Sequence, residues 1–302
     1  MAETAVKSQK PAAAPRPAKP KGAGTRPDLA TLAGIGLALS GIIGGLLLEK
    51  GKISDIVQVT AAMIVLGGTF GAVLVTTPLP VVLRAFRGVG QVFFERADSA
   101  AASIDALIQF AAKARKNGIV SLETEAAQIS DPFMRKALNL AVDGTDLNEL
   151  RKIMETDLAL SEQSGEAEAK VWEAAGGYAP TIGIIGAVMG LIQVMKHLED
   201  IKEVGRGIAV AFVATVYGVG SANILFLPMG NKLRARLRQA TLLKEMMLEG
   251  IVGIVEGLNP TLIRMKLETY IPHPEKPVKK PKPAAAPAPA KAAVPQPAGG
   301  RK

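Results

Sequence analysis

Four stretches of this chain, Leu29–Leu48, Val57–Thr77, Gly176–Met195 and Gly207–Met229, contain no Asp, Glu, Lys or Arg. A helix of about 20 apolar residues crosses the roughly 30 Å of bilayer hydrocarbon, whereas a soluble helix of that length carries a polar face. Backbone polar groups find no water in lipid, so spanning segments must satisfy them internally. The pattern therefore predicts an all-α membrane protein with four transmembrane helices. The first stretch does not read as a signal peptide. It is too long, follows a leader of about 28 residues and has no small-residue cleavage site.

The connections fix the expected orientation. Residues 49–56 and 196–206 are short and nearly balanced in charge, while Arg84 and Arg87 follow the second span and Lys232, Arg234, Arg236 and Arg238 follow the fourth. The positive-inside rule then places both termini and the long 78–175 connection in the cytoplasm. That connection has apolar residues at helical spacing in SIDALIQFAAKARKNG, FMRKALNLAVDG and ELRKIMETDLAL, with breaks at Asn117-Gly118, Asp131-Pro132 and Asp143-Gly144. It reads as a compact helical domain. Residues 230–271 read as a charged helical extension of the fourth span that packs against it. Residues 1–28 and 272–302 are Pro/Ala/Lys mixtures without the apolar area to offset ordering entropy, so they are expected to be disordered tails. They fit soluble spacers or segments attracted to anionic lipid headgroups.

Those tails also explain the basic balance. The net charge is +9, but residues 1–27 carry +5 and residues 271–302 carry +6, which leaves the body at −2. Nucleic-acid binding is not implied. The chain has no cysteine and two distant histidines, His197 and His273, so thiolate chemistry, a histidine metal site and a Ser-His-Asp triad lack their parts. No Walker lysine follows a glycine cluster. No cofactor and no enzymatic activity are expected.

What remains is transport, with one part missing. Polar residues inside the spans are few: Ser40, Thr60, Thr69, Thr181, Gln193, Thr215, Tyr217, Ser221 and Asn223. Proton relays use carboxylates or histidines at depth, and these spans hold neither. Either the chain moves nothing or a membrane partner supplies the acid. Small residues recur one turn apart at Gly36/Ser40/Gly44, Gly67/Gly71, Gly186/Gly190 and Ala214/Gly218/Ala222, and Gly183 adds to the third-span set. Such spacing lets helices approach closely in lipid, within one chain or between chains. Pro180 and Pro228 fall at about equal depth on consecutive spans. Proline removes a backbone hydrogen bond and clashes with the preceding turn. Membrane helices tolerate single prolines, but a matched pair suggests a flexing layer.

Four spans grouped two and two, a large loop after the second and a proline in each of the last two resemble the ion-conducting stator subunit of the bacterial flagellar motor, the MotA/PomA family. The specific pieces are KARKNGIVSLE (113–123), GGYAPTIGIIGAVMGLI (176–192), VAFVATVYGVGSANILFLPMGNKL (210–233) and LKEMMLEGIVGIVEGLNPTLIRMKLETYIP (243–272). The resemblance implies a bacterial inner-membrane ring of five copies around a MotB-like partner. That partner has one membrane helix bearing the missing aspartate and a domain that grips peptidoglycan. Pro180 and Pro228 match prolines that couple ion flow to movement. Arg115 and Glu123 match charged loop residues that meet the rotor's switch-complex (FliG-like) protein. Without the motif those two would read as a solvated surface pair.

Sodium-driven members of the family have a threonine where Ala187 stands, opposite the threonine matching Thr215. A partly dehydrated sodium ion needs several hard oxygen ligands, whereas a proton needs an acid and a hydroxyl or water. Ala187 removes one oxygen, so H⁺ rather than Na⁺ is the expected coupling ion, with Thr215 lining the path and Thr181 as a possible substitute ligand. The competing readings are an ExbB/TolQ-type energiser of outer-membrane processes, which usually has three spans, and a non-conducting membrane scaffold.

Overall fold

A computed structural model describes residues 25–96 and 100–271. The expected tails 1–24 and 272–302 lie outside the described residues. The elements run in chain order as β1 (Thr25–Pro27), α1 (Leu29–Leu48), α2 (Val59–Thr76), α3 (Leu79–Gly88), α4 (Gly90–Phe93), β2 (Phe94–Arg96), α5 (Ala100–Asn117), α6 (Glu123–Ala126), α7 (Pro132–Val142), α8 (Leu147–Lys196), α9 (Ile201–Gly220), α10 (Leu227–Val255) and α11 (Pro260–Glu268). Short 3₁₀ turns precede α2 and α6, and a π-turn, Ser221–Phe226, joins α9 to α10.

Four helices are long and apolar enough to cross a membrane. The first two are α1 and α2. The other two belong to a long hairpin: α8 has 50 residues and α9 continues through the π-turn into α10. At 1.5 Å per residue α8 is about 75 Å long, more than twice the hydrocarbon thickness. Each hairpin arm is apolar at one end and charged at the other. The sequence changes from a lipid-compatible surface to a soluble one within a continuous helix, because nothing between Leu147 and Lys196 breaks it except Pro180.

The hairpin keeps one antiparallel register along its length. Arg151 pairs with Glu249, Glu173 with Arg234, Gly183 meets Gly218, and Gly190 meets Ala211. At the charged end α5, α7 and α11 pack on this hairpin. Ile104, Leu107, Leu138, Leu150, Met154, Ile251, Ile263 and Leu267 form the buried set there. Asp131 and Asp146 accept from backbone N–H groups at the starts of α7 and α8, and Gly118 and Gly144 take positive φ where the chain turns. The 230–271 segment is therefore part of the helical domain: it packs on α5, α7 and α8 as well as continuing the fourth span. The boundary drawn at residue 175 falls in mid-helix.

Residues 25–28, expected within the disordered tail, are ordered instead: Thr25–Pro27 pairs antiparallel with Phe94–Arg96, the one departure from an all-α fold among the described residues. Asp28 caps α1, accepting from the Thr31 N–H at 3.1 Å, and its own N–H donates to Phe93 O. It is almost fully buried, with its carboxylate against Lys232 and Arg236 at 2.6 and 2.7 Å. Beyond this anchor α1 has no buried residue.

Candidate functional site

The seam between α8 and α9 is built from glycine. A Cβ added at Gly218 would lie 2.6 Å from the Ala179 carbonyl oxygen and 3.0 Å from Gly183 Cα. One at Gly190 would meet Ala211 N and Gly207 O at 2.8 Å, and one at Gly186 would meet Ala214 Cβ at 2.8 Å. The backbones themselves are in contact, which is the close approach that small residues permit in lipid. Of the two packings open to these residues, Gly183, Gly186, Gly190 and Gly218 serve the intrachain one. By contrast, Gly36, Gly44, Gly67 and Gly71 have no atom within 4 Å of an added Cβ. The α2 helix covers this seam through Ala61 and Val65, which pack with Val213 and Ala214.

The Gly186–Ala214 contact sets the depth of the ion-path candidates. Ala187 and Thr215, the next residues on each arm, lie within a turn of the same level, both half-buried at the edge of the seam. The Thr215 hydroxyl donates to Ala211 O at 3.2 Å, which leaves its lone pairs free to accept. Thr181 is not brought to this level. It lies about 9 Å nearer the basic end, is exposed, and donates to Tyr178 O at 2.8 Å. Within one chain it does not share the level of Ala187 and Thr215. Thr69 on α2 is fully buried, and its hydroxyl has no hydrogen-bond partner.

The two prolines differ locally yet meet. Pro180 sits inside an unbroken α8, so no helix break accompanies it. It offers no N–H to the carbonyl of Gly176, four residues back. Pro228 is the second residue of α10, just after the π-turn, whose wider ring accommodates the missing bond to Ile224. Gly176 then packs against Leu227: a Cβ on Gly176 would be 2.5 Å from the Leu227 side chain. The two weakened turns are thus in direct contact. Trp172, Phe86, Phe70 and Phe226 close the joint, with Trp172–Phe86 ring centroids 5.0 Å apart and Trp172–Phe226 6.1 Å.

Below the joint the basic residues are paired specifically. Arg234 meets Glu173 through both terminal nitrogens at 2.7 and 2.8 Å, and Arg84 meets Glu168 at 3.6 Å. Lys232, the Thr31 N–H and Arg236 hold the Asp28 carboxyl well below the usual carboxylate range against the opposing effect of burial. Sequence reasoning missed this residue, although an Asp directly before a 20-residue apolar run is an N-cap signal. It also missed the role of Tyr217. That hydroxyl donates to Ile56 O at 2.6 Å and accepts from Gln58 N at 3.2 Å, capping the start of α2 from the fourth span. No local pattern announces a contact across 160 residues.

At the far end, Arg115 and Glu123 are both exposed, on the two arms of the corner that Gly118 turns. Among the described residues neither takes part in an ion pair. Lys113 and Glu125 make one across the same corner, and that contact holds the Glu125 carboxyl below its ordinary range. No group of His, Cys, Asp or Glu that could hold a metal ion occurs among the described residues.

A four-span bundle with a glycine seam, no carboxylate, histidine or basic side chain in its spans and a helical domain on the same hairpin defines the class. Residues 125–246 match the MotA/TolQ/ExbB proton channel family, and residues 32–118 match the motility protein A N-terminal family. The chain is 36% identical over 244 residues to motility protein A of Helicobacter pylori, covering 81% of this chain and 95% of that one. It is 33% identical to the chemotaxis protein PomA of Vibrio alginolyticus, with the same coverage. Among solved structures, that of C. jejuni MotAB matches with TM-score 0.78 at 32% identity, covering 82% of this chain and 98% of the other. The flagellar MotAB stator complex from Bacillus subtilis matches with TM-score 0.72, covering 80% and 96%. This chain belongs to the motility protein A family and is a multi-pass inner-membrane protein.

Proposed function

We propose that this chain is the ion-conducting stator subunit of a bacterial flagellar motor, and that it couples inward proton flow to torque. The observation that carries the mechanism is the contact between Gly176 and Leu227, where the turns weakened by Pro180 and Pro228 meet directly below the Ala187–Thr215 level. A partner of the MotB kind supplies the membrane aspartate that these spans lack. Each protonation and release of that acid alters its fit against the α8/α9 seam. The change reaches the helical domain through two unbroken arms, and the joint is their softest point. The copies assemble around the partner, five in the ring, with both termini and the helical domain in the cytoplasm. Arg115 and Glu123 face the rotor, where charge complementarity steers engagement and weakens with salt.

Proton rather than sodium coupling rests on Ala187, which offers no oxygen where Thr215 has one, and on the 9 Å offset of Thr181. Resemblance along nearly the whole length of motility protein A, with four candidate spans, disfavours the outer-membrane energiser. The test is to supply the gene with its partner to a strain without stators and measure swimming with and without sodium. Sodium-independent swimming is expected, and strict sodium dependence would overturn the proton assignment. Thr215→Val and Pro180→Ala should assemble but generate little torque; a passive scaffold would keep the wild-type phenotype in both.

A further inference from the structure

Between α1 and the π-turn lies a groove of about 290 Å³ that is not needed for the stator reading. On one side it is lined by Thr31, Gly34 and Ala38 along about two turns of α1, and on the other by Ile224, Leu225 and Pro228. Its lining is mainly apolar, interrupted by Thr31 on α1 and Asn223 on the π-turn, and includes Lys232 at the basic end. The charge-free part of the fourth span stops at Met229, so Lys232 is the first cation beyond the hydrocarbon. It stands at headgroup level on the basic end of the bundle.

Among the described side chains two cations, Lys232 and Arg236, share one carboxylate, Asp28. The Lys232 side chain is 34% exposed. Its ammonium carries three N–H donors, of which Asp28 takes one. The groove follows α1 for about 10 Å, and an extended hydrocarbon chain can lie along it. In lipid an apolar groove with a cation at its mouth matches an amphiphile with one negative charge, and basic pockets between membrane helices on the cytoplasmic side bind such headgroups.

We infer that this groove is a binding site for one anionic phospholipid, with an acyl chain along Gly34 and Ala38 and the phosphate at Lys232. The chain of that lipid packs on the π-turn, so the lipid touches the joint itself. It also supplies the lateral packing that α1, with no buried residue, lacks within the protein.

The test uses the full-length chain purified with its partner and stripped of lipid. Native mass spectrometry then counts dioleoylphosphatidylglycerol or dioleoylphosphatidylcholine retained per chain. At least tenfold stronger retention of the anionic lipid is expected. Gly34→Leu places a side chain in the groove at a position where no atom lies within 4 Å of an added Cβ, and should abolish retention. Gly41→Leu, equally unhindered and outside the groove, should leave it unchanged. Lys232→Gln should erase the preference between the two lipids. Equal retention of both lipids by the wild type, or unchanged retention in Gly34→Leu, overturns the inference.

Discussion

Gly218→Ala adds a single methyl group at the tightest point of the α8/α9 seam. The new Cβ would sit 2.6 Å from the Ala179 carbonyl oxygen and 3.0 Å from Gly183 Cα. Ordinary contact begins near 3.4 Å, so the two backbones must separate by about 0.8 Å at this level. Both neighbours are main-chain atoms that no rotamer change can move aside. Overpacking of this kind costs about 1–3 kcal/mol. Alanine recovers up to about 1 kcal/mol as a better helix former than glycine. Gly71→Ala on α2 is the matched control, because nothing lies within 4 Å of its Cβ and only the propensity gain applies. The net gap between the two variants should therefore be about 1–3 kcal/mol. The chain has one tryptophan, Trp172, buried at the joint between the same helices. Its fluorescence during denaturant unfolding of the full-length chain reads the difference. Gly218→Ala should unfold at distinctly lower denaturant than Gly71→Ala, and motility should fall with it. If the two variants unfold together, the backbone contact at Gly218 does not carry the seam.

Three further outcomes follow from contacts described above. Asp28→Asn removes the charge that Lys232 and Arg236 share, and it should raise hydrogen exchange in the first turn of α1 while leaving the first turns of α7 and α8 unchanged. Because the folded-state value of Asp28 is depressed, its stabilisation is complete above the unfolded value of about 4 and is lost as pH falls through the lower, folded one. Exchange in that turn should therefore be flat from pH 7 down to about 5 after correction for intrinsic rates, and a rise within that window would refute the pairing. Tyr217→Phe leaves Ile56 O and Gln58 N–H without their shared partner, which should cost about 1–3 kcal/mol; an unchanged unfolding midpoint would show that the cap is idle. Pro228→Ala restores an N–H facing Ile224, so the π-turn should relax to regular α-helix in a solved structure of the variant, with torque reduced.

The four spans were legible in the sequence, because absence of charge over about 20 residues is a local property that lipid enforces everywhere along the helix. The sequence also showed that a membrane carboxylate is missing and that Pro180 and Pro228 lie at similar depth, while the family resemblance marked Ala187 and Thr215. The tertiary structure decided what depends on register. The depth of Ala187 against Thr215, the displacement of Thr181 and the meeting of Gly176 with Leu227 all follow from how two helices slide past one another. That register is set by backbone contacts at Gly183, Gly190 and Gly218, and the composition of either helix leaves it open. Asp28 and Tyr217 acquire partners about 200 and 160 residues away, and only folding brings those pairs together. Local chemistry wrote the membrane helices into the sequence; long-range packing decided which of their residues share a level and where the long hairpin is weakest.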